Sequence, residues 1–155
     1  MTHGSTLVLE HIPDPASLLR LVRQQMNDNG IVCIIVPNDF NPFQIVLRDH
    51  LKFSPWWVAP PHHINYFNFD SLSSLVERCG FKVIHKEATF PIDIFLLMGD
   101  DYVGNDAVGR ACHTKRMNFE KAITQGGSSN LLSDLYSKLA EHGIGREVVI
   151  YGEKA

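Results

Sequence analysis

A run of six apolar residues, IVCIIV (residues 31–36), constrains the fold of this chain more than any other segment. All but one are β-branched, and Pro37 follows, which predicts a strand covered on both faces in a parallel sheet. A helical pattern precedes it, beginning at Asp14 and Pro15 and ending in turn residues 27–30. The residues TLVL (6–9) before that helix have the pattern of a short buried strand. These segments together predict a βαβ unit.

The rest of the chain continues the alternation of helices and strands. Asp70 can cap a helix that ends at Gly80, and strands are predicted at 81–88 and 147–152. Residues 38–69 are loop-like with one short helix at 43–49, and helical patterns cover 92–101, 110–122 and 130–142. The sequence therefore predicts an α/β fold with a single domain over 1–155, in which a helical segment at 89–145 precedes the final strand.

Charge and cysteine usage exclude several classes of partner. The net charge of the 155 residues is −3 and the longest basic cluster is Lys115-Arg116, so nucleic acid is not an expected partner. No apolar run is long enough to cross a bilayer, so no membrane role is expected. The three cysteines form no C-x-x-C pair, which is typical of free thiols in a reducing compartment. We therefore expect a cytoplasmic protein.

Three segments carry a family resemblance: VLEHI (8–12), DNGIVCIIVPN (28–38) and PPHHINYFNFDSLSSLVERCGFKVI (60–84). In order and spacing they resemble the second half of a class I S-adenosylmethionine-dependent methyltransferase of the small-molecule type. The resemblance covers about residues 5–88. It implies a partial Rossmann-like sheet that contains strands four to seven of the family, with the last strand antiparallel. It also implies that residues 89–145 are a helical insertion.

Two elements of that family have no counterpart in this sequence. They are the glycine-rich loop that holds the methionine moiety and the acidic residue that holds the ribose. The resemblance therefore implies a chain that begins near the family's fourth strand, binds S-adenosylmethionine weakly or not at all, and is inactive alone. A sheet without its first three strands would expose the edge of the fourth, so we expect a homo-oligomer.

Glu10 and His11 are the first candidate site residues. They follow the predicted strand at 6–9, and open α/β sheets bind ligands at the carboxyl ends of their strands. The resemblance places both residues near the transferred methyl group, as cofactor-binding residues, with His11 also the catalytic base that takes a proton from the acceptor. The alternative is that both satisfy backbone groups at the start of the next helix.

The second candidate cluster is His62, His63, Asn65 and Tyr66, within an aromatic segment that suits a small-molecule pocket. The resemblance implies that these residues bind the substrate and that His63 is also catalytic. Asn38 and Asp39 follow the predicted strand at 31–36, a position from which they could contact the acceptor. A packed loop with histidines capping backbone groups, and a plain turn at Asn38, are the alternatives. Neighbouring histidines rarely ligate one ion together, and no metal-binding motif is present, so no metal site is predicted.

The function that the resemblance implies is transfer of a methyl group from S-adenosylmethionine to a small-molecule or sugar-like acceptor. The alternative function is a non-catalytic α/β module that associates with itself or is completed by a partner chain.

Overall fold

The computed structural model describes residues 3–6 and 8–155, with backbone only for residues 3–6 and 129. Within that part of the chain the strands are β1 (His3–Thr6), β2 (Ile31–Pro37), β3 (Phe81–Ala88) and β4 (Glu147–Lys154). The helices are α1 (Pro15–Gln25), α2 (Pro42–Asp49), α3 (Phe69–Arg78), α4 (Asp93–Leu97), α5 (Asp106–Gln125) and α6 (Ser129–Glu141). A 3-10 turn at Leu9–His11 follows β1.

The four described strands form one sheet in the order β1-β2-β4-β3. β1 is parallel to β2, with Thr6 opposite Ile35, whereas β4 is antiparallel to both β2 and β3. The carboxyl ends of β1, β2 and β3 therefore lie at the same edge of the sheet as Glu147, the first residue of β4. The α/β fold, the βαβ unit and the antiparallel last strand are thereby confirmed.

The core lies on one face of the central strands. Val32, Ile34 and Val36 of β2 are buried, while Ile31 is exposed and the residues between them are half-buried. The strand is thus fully covered on one face and partly covered on the other, where the sequence predicts cover on both. The buried face packs with apolar side chains of α1 and α3, including Leu19 and Leu72, in one cluster. Because successive side chains of a strand point to opposite faces, burial alternates along a strand when one face is fully covered and the other only partly.

The first strand differs from the sequence prediction. It spans His3–Thr6 rather than 6–9; Leu7 lies outside the described residues, and the chain has left the sheet by Val8. The residues after the strand turn so that Leu9 becomes fully buried in the core. A short apolar run is compatible with either a strand or a buried turn, so the pattern alone does not separate them.

The helices are placed as predicted, with different ends. Asn68, not Asp70, caps α3, and it forms a capping box with Ser71. α4 is much shorter than the predicted 92–101, and α5 extends beyond 110–122 at both ends. Three helices thus lie between residues 89 and 145, and whether they form an insertion within the family stays a prediction.

The described chain has no helix that is both long enough and apolar enough to cross a membrane.

Candidate functional site

The 3-10 turn after β1 presents the first candidate residues at the carboxyl edge of the sheet. A distant segment fixes its backbone: the amides of Ile64 and Asn65 both donate to the carbonyl of Glu10, at 2.9 and 3.1 Å. Asn65 Nδ2 donates to the carbonyls of Leu9 and Ile12, at 3.0 and 2.6 Å. These four bonds clamp the turn to residues 64–65.

The clamp brings one carboxylate and two imidazoles together. His11 Nε2 lies 3.7 Å from Glu10 Oε1, and the rings of His11 and His63 meet edge to face with centroids 5.0 Å apart. One potential ligand atom from each of Glu10, His11 and His63 lies within 4.8 Å of the other two. Glu10 is 1% exposed, so its carboxylate is held in the protein interior.

The hydrogen bond of His11 Nδ1 determines which of the two ring nitrogens carries the proton. His11 Nδ1 lies 2.5 Å from the carbonyl oxygen of His62. A carbonyl oxygen only accepts hydrogen bonds, so Nδ1 carries the proton and donates. In the neutral imidazole, Nε2 therefore has a free lone pair that faces Glu10, and it can accept a proton or bind a metal ion.

Two polar side chains follow β2 at the same edge. Asn38 Nδ2 donates to the carbonyls of Gly143 and Gly145, at 2.8 and 3.1 Å, which ties the loop before the last strand to the end of β2. Asp39 is buried, and burial raises its pKa to about 6, with a further upward contribution from the charge of Glu10 and an opposing hydrogen bond from the Phe67 amide. Glu10 and Asp39 thus place two buried carboxyl groups at this edge, and Asp93 adds a third to the same cavity.

Aromatic rings build one wall beside these groups. The rings of Trp56 and Trp57 meet edge to face with centroids 4.9 Å apart. The centroid of the Phe40 ring lies 5.8 Å from that of Trp57 and 6.1 Å from that of Tyr66. Tyr66 Oη accepts a hydrogen bond from the Ala59 amide at 3.2 Å, which anchors the segment. The wall is apolar and held in place, as small-molecule pockets are.

A cavity of about 370 Å³ opens between the turn, the end of β2 and the aromatic wall. Four of the predicted site residues line it: Glu10, His11, Asn38 and His63. The other three, His62, Asn65 and Tyr66, do not line it. The His62 carbonyl contacts His11, the Asn65 side chain binds backbone carbonyls of the turn, and Tyr66 contacts the Ala59 amide and neighbouring rings. Their role as substrate ligands stays a prediction.

Several lining residues were missed by sequence reasoning, namely Gln44, Ile92, Asp93, Arg146 and Glu147. Asp39 was expected near the acceptor together with Asn38, and Trp56 and Trp57 belong to the aromatic segment that was expected to form a pocket. For Arg146 and Glu147 a signal was present. The last strand was predicted to be antiparallel, and the amino end of such a strand lies at the carboxyl edge of its parallel neighbours.

Comparison with known proteins identifies the family. The profile of a family described as a methyltransferase domain matches residues 4–86, more than half of the chain. The chain belongs to the methyltransferase domain family. The resemblance read from the sequence segments is therefore confirmed. The search of curated proteins found no match to this chain.

Solved structures show the same fold. A SAM-dependent methyltransferase from Archaeoglobus fulgidus superposes on this chain with a TM-score of 0.52 at 13% sequence identity. The [4+2]-cyclase SpnF superposes with a TM-score of 0.50 at 14% sequence identity. Phosphoethanolamine N-methyltransferase 2 from Haemonchus contortus, in complex with phosphomonomethylethanolamine and S-adenosylhomocysteine, gives 0.50 at 17%. Each alignment covers 99% of this chain but only 58%, 50% and 33% of those three chains respectively. Neither comparison favours the alternative of a non-catalytic module.

The cofactor of such methyltransferases fits this chain only in part. Glu10 and His11 line the cavity and could lie beside a sulfonium group, but the sequence has no G-x-G-x-x-G loop. Glycines at that turn allow the close backbone approach that a nucleoside cofactor needs. The sequence thus supplies no glycine-rich loop for a nucleoside cofactor.

Proposed function

We propose that this chain forms the acceptor side of an S-adenosylmethionine-dependent methyltransferase that acts on a small-molecule or sugar-like acceptor. The single observation that carries the proposal is the free lone pair of His11 Nε2, fixed by the bond of Nδ1 to the His62 carbonyl, on a residue that lines a cavity of about 370 Å³. The family match and the position of the cavity at the carboxyl edge of the sheet support it.

His11 is the proposed proton acceptor. In methyl transfer the acceptor atom must lose its proton, and an imidazole with a free nitrogen does this near neutral pH. His63 packs edge to face on His11 and restricts its ring orientation. Trp57 and Asn38 line the same cavity, where an apolar surface and a buried amide oxygen would orient the acceptor.

S-Adenosylmethionine would supply the methyl group. In this proposal the four described strands correspond to strands four to seven of the family, so the cofactor-binding loop and the ribose carboxylate lie outside this chain's own residues. We therefore expect weak cofactor binding and no turnover by this chain alone. β1 pairs only with β2 among the described strands, and its other edge is a proposed surface for self-association.

The experiment is a titration of the chain, labelled with ¹³C at histidine, with phenols, amines and sugars, followed by NMR. The proposal predicts that at least one acceptor class shifts the His11 and His63 ring signals in a saturable way. His50, which is exposed and does not line the cavity, is the internal control. Shifts of equal size at His50, or no shift at His11 and His63 with any class, would contradict the proposal.

A further inference from the structure

We infer that Glu10, His11 and His63 form a binding site for one divalent transition-metal ion of the zinc or cobalt class. The first argument is proximity: one ligand atom from each residue lies within 4.8 Å of the others. In a tetrahedral site, two ligand atoms with metal bonds of about 2.1 Å lie about 3.4 Å apart, so atoms as far apart as 4.8 Å need to approach by somewhat more than about 1 Å, which side-chain rotation provides.

The second argument is the support of the ligands. A metal-binding histidine commonly donates its other ring N–H to a backbone carbonyl, which orients the ring and fixes the tautomer. His11 makes such a bond, from Nδ1 to the carbonyl of His62 at 2.5 Å. The turn that carries Glu10 is fixed in turn by the four hydrogen bonds of the clamp. The donor groups are thus positioned before any ion binds.

The third argument is that two buried polar atoms need a partner. Glu10 Oε2 and His63 Nδ1 are both buried and have no hydrogen-bond partner among the described residues. An orphaned carboxylate oxygen inside a protein is costly unless a charge or a donor faces it. A cation between Glu10 and the two imidazoles would supply that charge, and it explains why an acidic side chain is 1% exposed at the floor of a cavity.

The ligand set selects the ion. Two imidazoles and one carboxylate suit Zn²⁺ and its first-row neighbours, whereas Ca²⁺ and Mg²⁺ prefer sites made of oxygen ligands. Three protein ligands leave at least one coordination position, and all three residues line the cavity. The site thus has the open form of a catalytic metal centre rather than the closed form of a structural one.

The use of the ion, unlike its binding, rests on the proposed function. A hydroxyl oxygen of the acceptor would take the open position, and the ion would lower the pKa of that hydroxyl so that its proton is lost to solvent water. His11 Nε2 would then be a ligand and not the base, so the two roles exclude each other in any one molecule.

The test is a titration of the purified, metal-free chain with CoCl₂, followed by visible absorption, with ZnCl₂ added as competitor. We expect saturation at one Co²⁺ per chain, absorption bands of a four- or five-coordinate site, and displacement by Zn²⁺ but not by Ca²⁺. His63→Ala and Glu10→Gln should each weaken binding at least about tenfold, since each removes a ligand. His50→Ala is the control, because His50 is exposed and does not line the cavity.

Circular dichroism decides whether each variant is folded; if Glu10→Gln unfolds, His63→Ala still gives the answer. The inference would be overturned by a wild-type spectrum that does not change with Co²⁺, or by equal Co²⁺ affinity in wild type and His63→Ala. Neither outcome measures methyl transfer, so failure of the metal site would leave the proposed function standing.

Discussion

Asn65 should stabilise the protein far more than a polar loop residue usually does. Its Nδ2 bridges two carbonyls that bracket the 3-10 turn, those of Leu9 and Ile12, at 3.0 and 2.6 Å. A hydrogen bond contributes about 0.5–1.5 kcal/mol net, so loss of both in Asn65→Ala should lower the free energy of unfolding by about 1–3 kcal/mol.

Asn65→Asp separates the hydrogen bonds from simple packing. The variant keeps the size of the side chain but turns a donor into an acceptor that faces two carbonyl oxygens. At neutral pH the carboxylate should therefore destabilise the protein more than Asn65→Ala does, because two partly buried carbonyl acceptors then face a negative charge. The difference between the variants should shrink in acid, where a protonated carboxyl can donate once.

Urea unfolding followed by tryptophan fluorescence measures both effects. With a slope of about 2 kcal/mol per molar, Asn65→Ala should lower the midpoint by about 0.5–1.5 M. Asn130→Ala is the control, since Asn130 is exposed on α6 and its loss should change stability by less than about 0.5 kcal/mol. A midpoint for Asn65→Ala equal to that of the control, or an Asp variant as stable as the Ala variant, would refute the clamp.

Two further predictions concern the end of β2 and the approach to β4. The pKa of Asp39 is raised to about 6, chiefly by burial and also by Glu10, so the stability that its protonated form contributes is complete below about pH 4 and lost as pH rises through 6. In Asp39→Asn the side chain can still accept the hydrogen bond from the Phe67 amide, so the free energy of unfolding at pH 7 should rise by about 1–2 kcal/mol. The free energy of unfolding measured with urea should also vary less between pH 4 and about 6, and an unchanged pH profile would contradict this. Gly145 has φ +148°, and an added Cβ would lie 2.6 Å from Ala88 Cβ. Gly145→Ala should therefore lower the free energy of unfolding by more than about 2 kcal/mol in thermal denaturation. A melting temperature equal to that of wild type would refute the steric argument.

The sheet could be predicted because its signal is local. The run at 31–36 is apolar and β-branched, and the helix before it begins with Asp14, which caps it as predicted. The first strand was misplaced because an apolar run at 6–9 satisfies a buried turn equally well. Leu9 reaches the core from that turn, not from the sheet. The hydrophobic pattern alone does not show whether a short apolar segment adopts a strand or a buried turn.

The cluster of Glu10, His11 and His63 was harder to predict, since it depends on contacts between residues far apart in sequence. In an extended strand Glu10 and His11 would point to opposite faces, which argues against joint binding of one ion. The 3-10 turn brings their side chains to 3.7 Å instead, and the clamp to residues 64–65 then places His63 beside them. The sequence supplied the residue types, and the turn conformation decided their geometry.

The central claim is that this chain carries the acceptor side of a methyltransferase site without the loop that binds the cofactor. The most direct measurement is a calorimetric titration of the purified chain with S-adenosylmethionine, with the molar mass determined by light scattering in parallel. The account predicts a folded, self-associated protein that shows no saturable heat at micromolar cofactor. Saturable binding at micromolar levels with one cofactor per chain would contradict it, since the residues of this chain would then bind the cofactor without a glycine-rich loop.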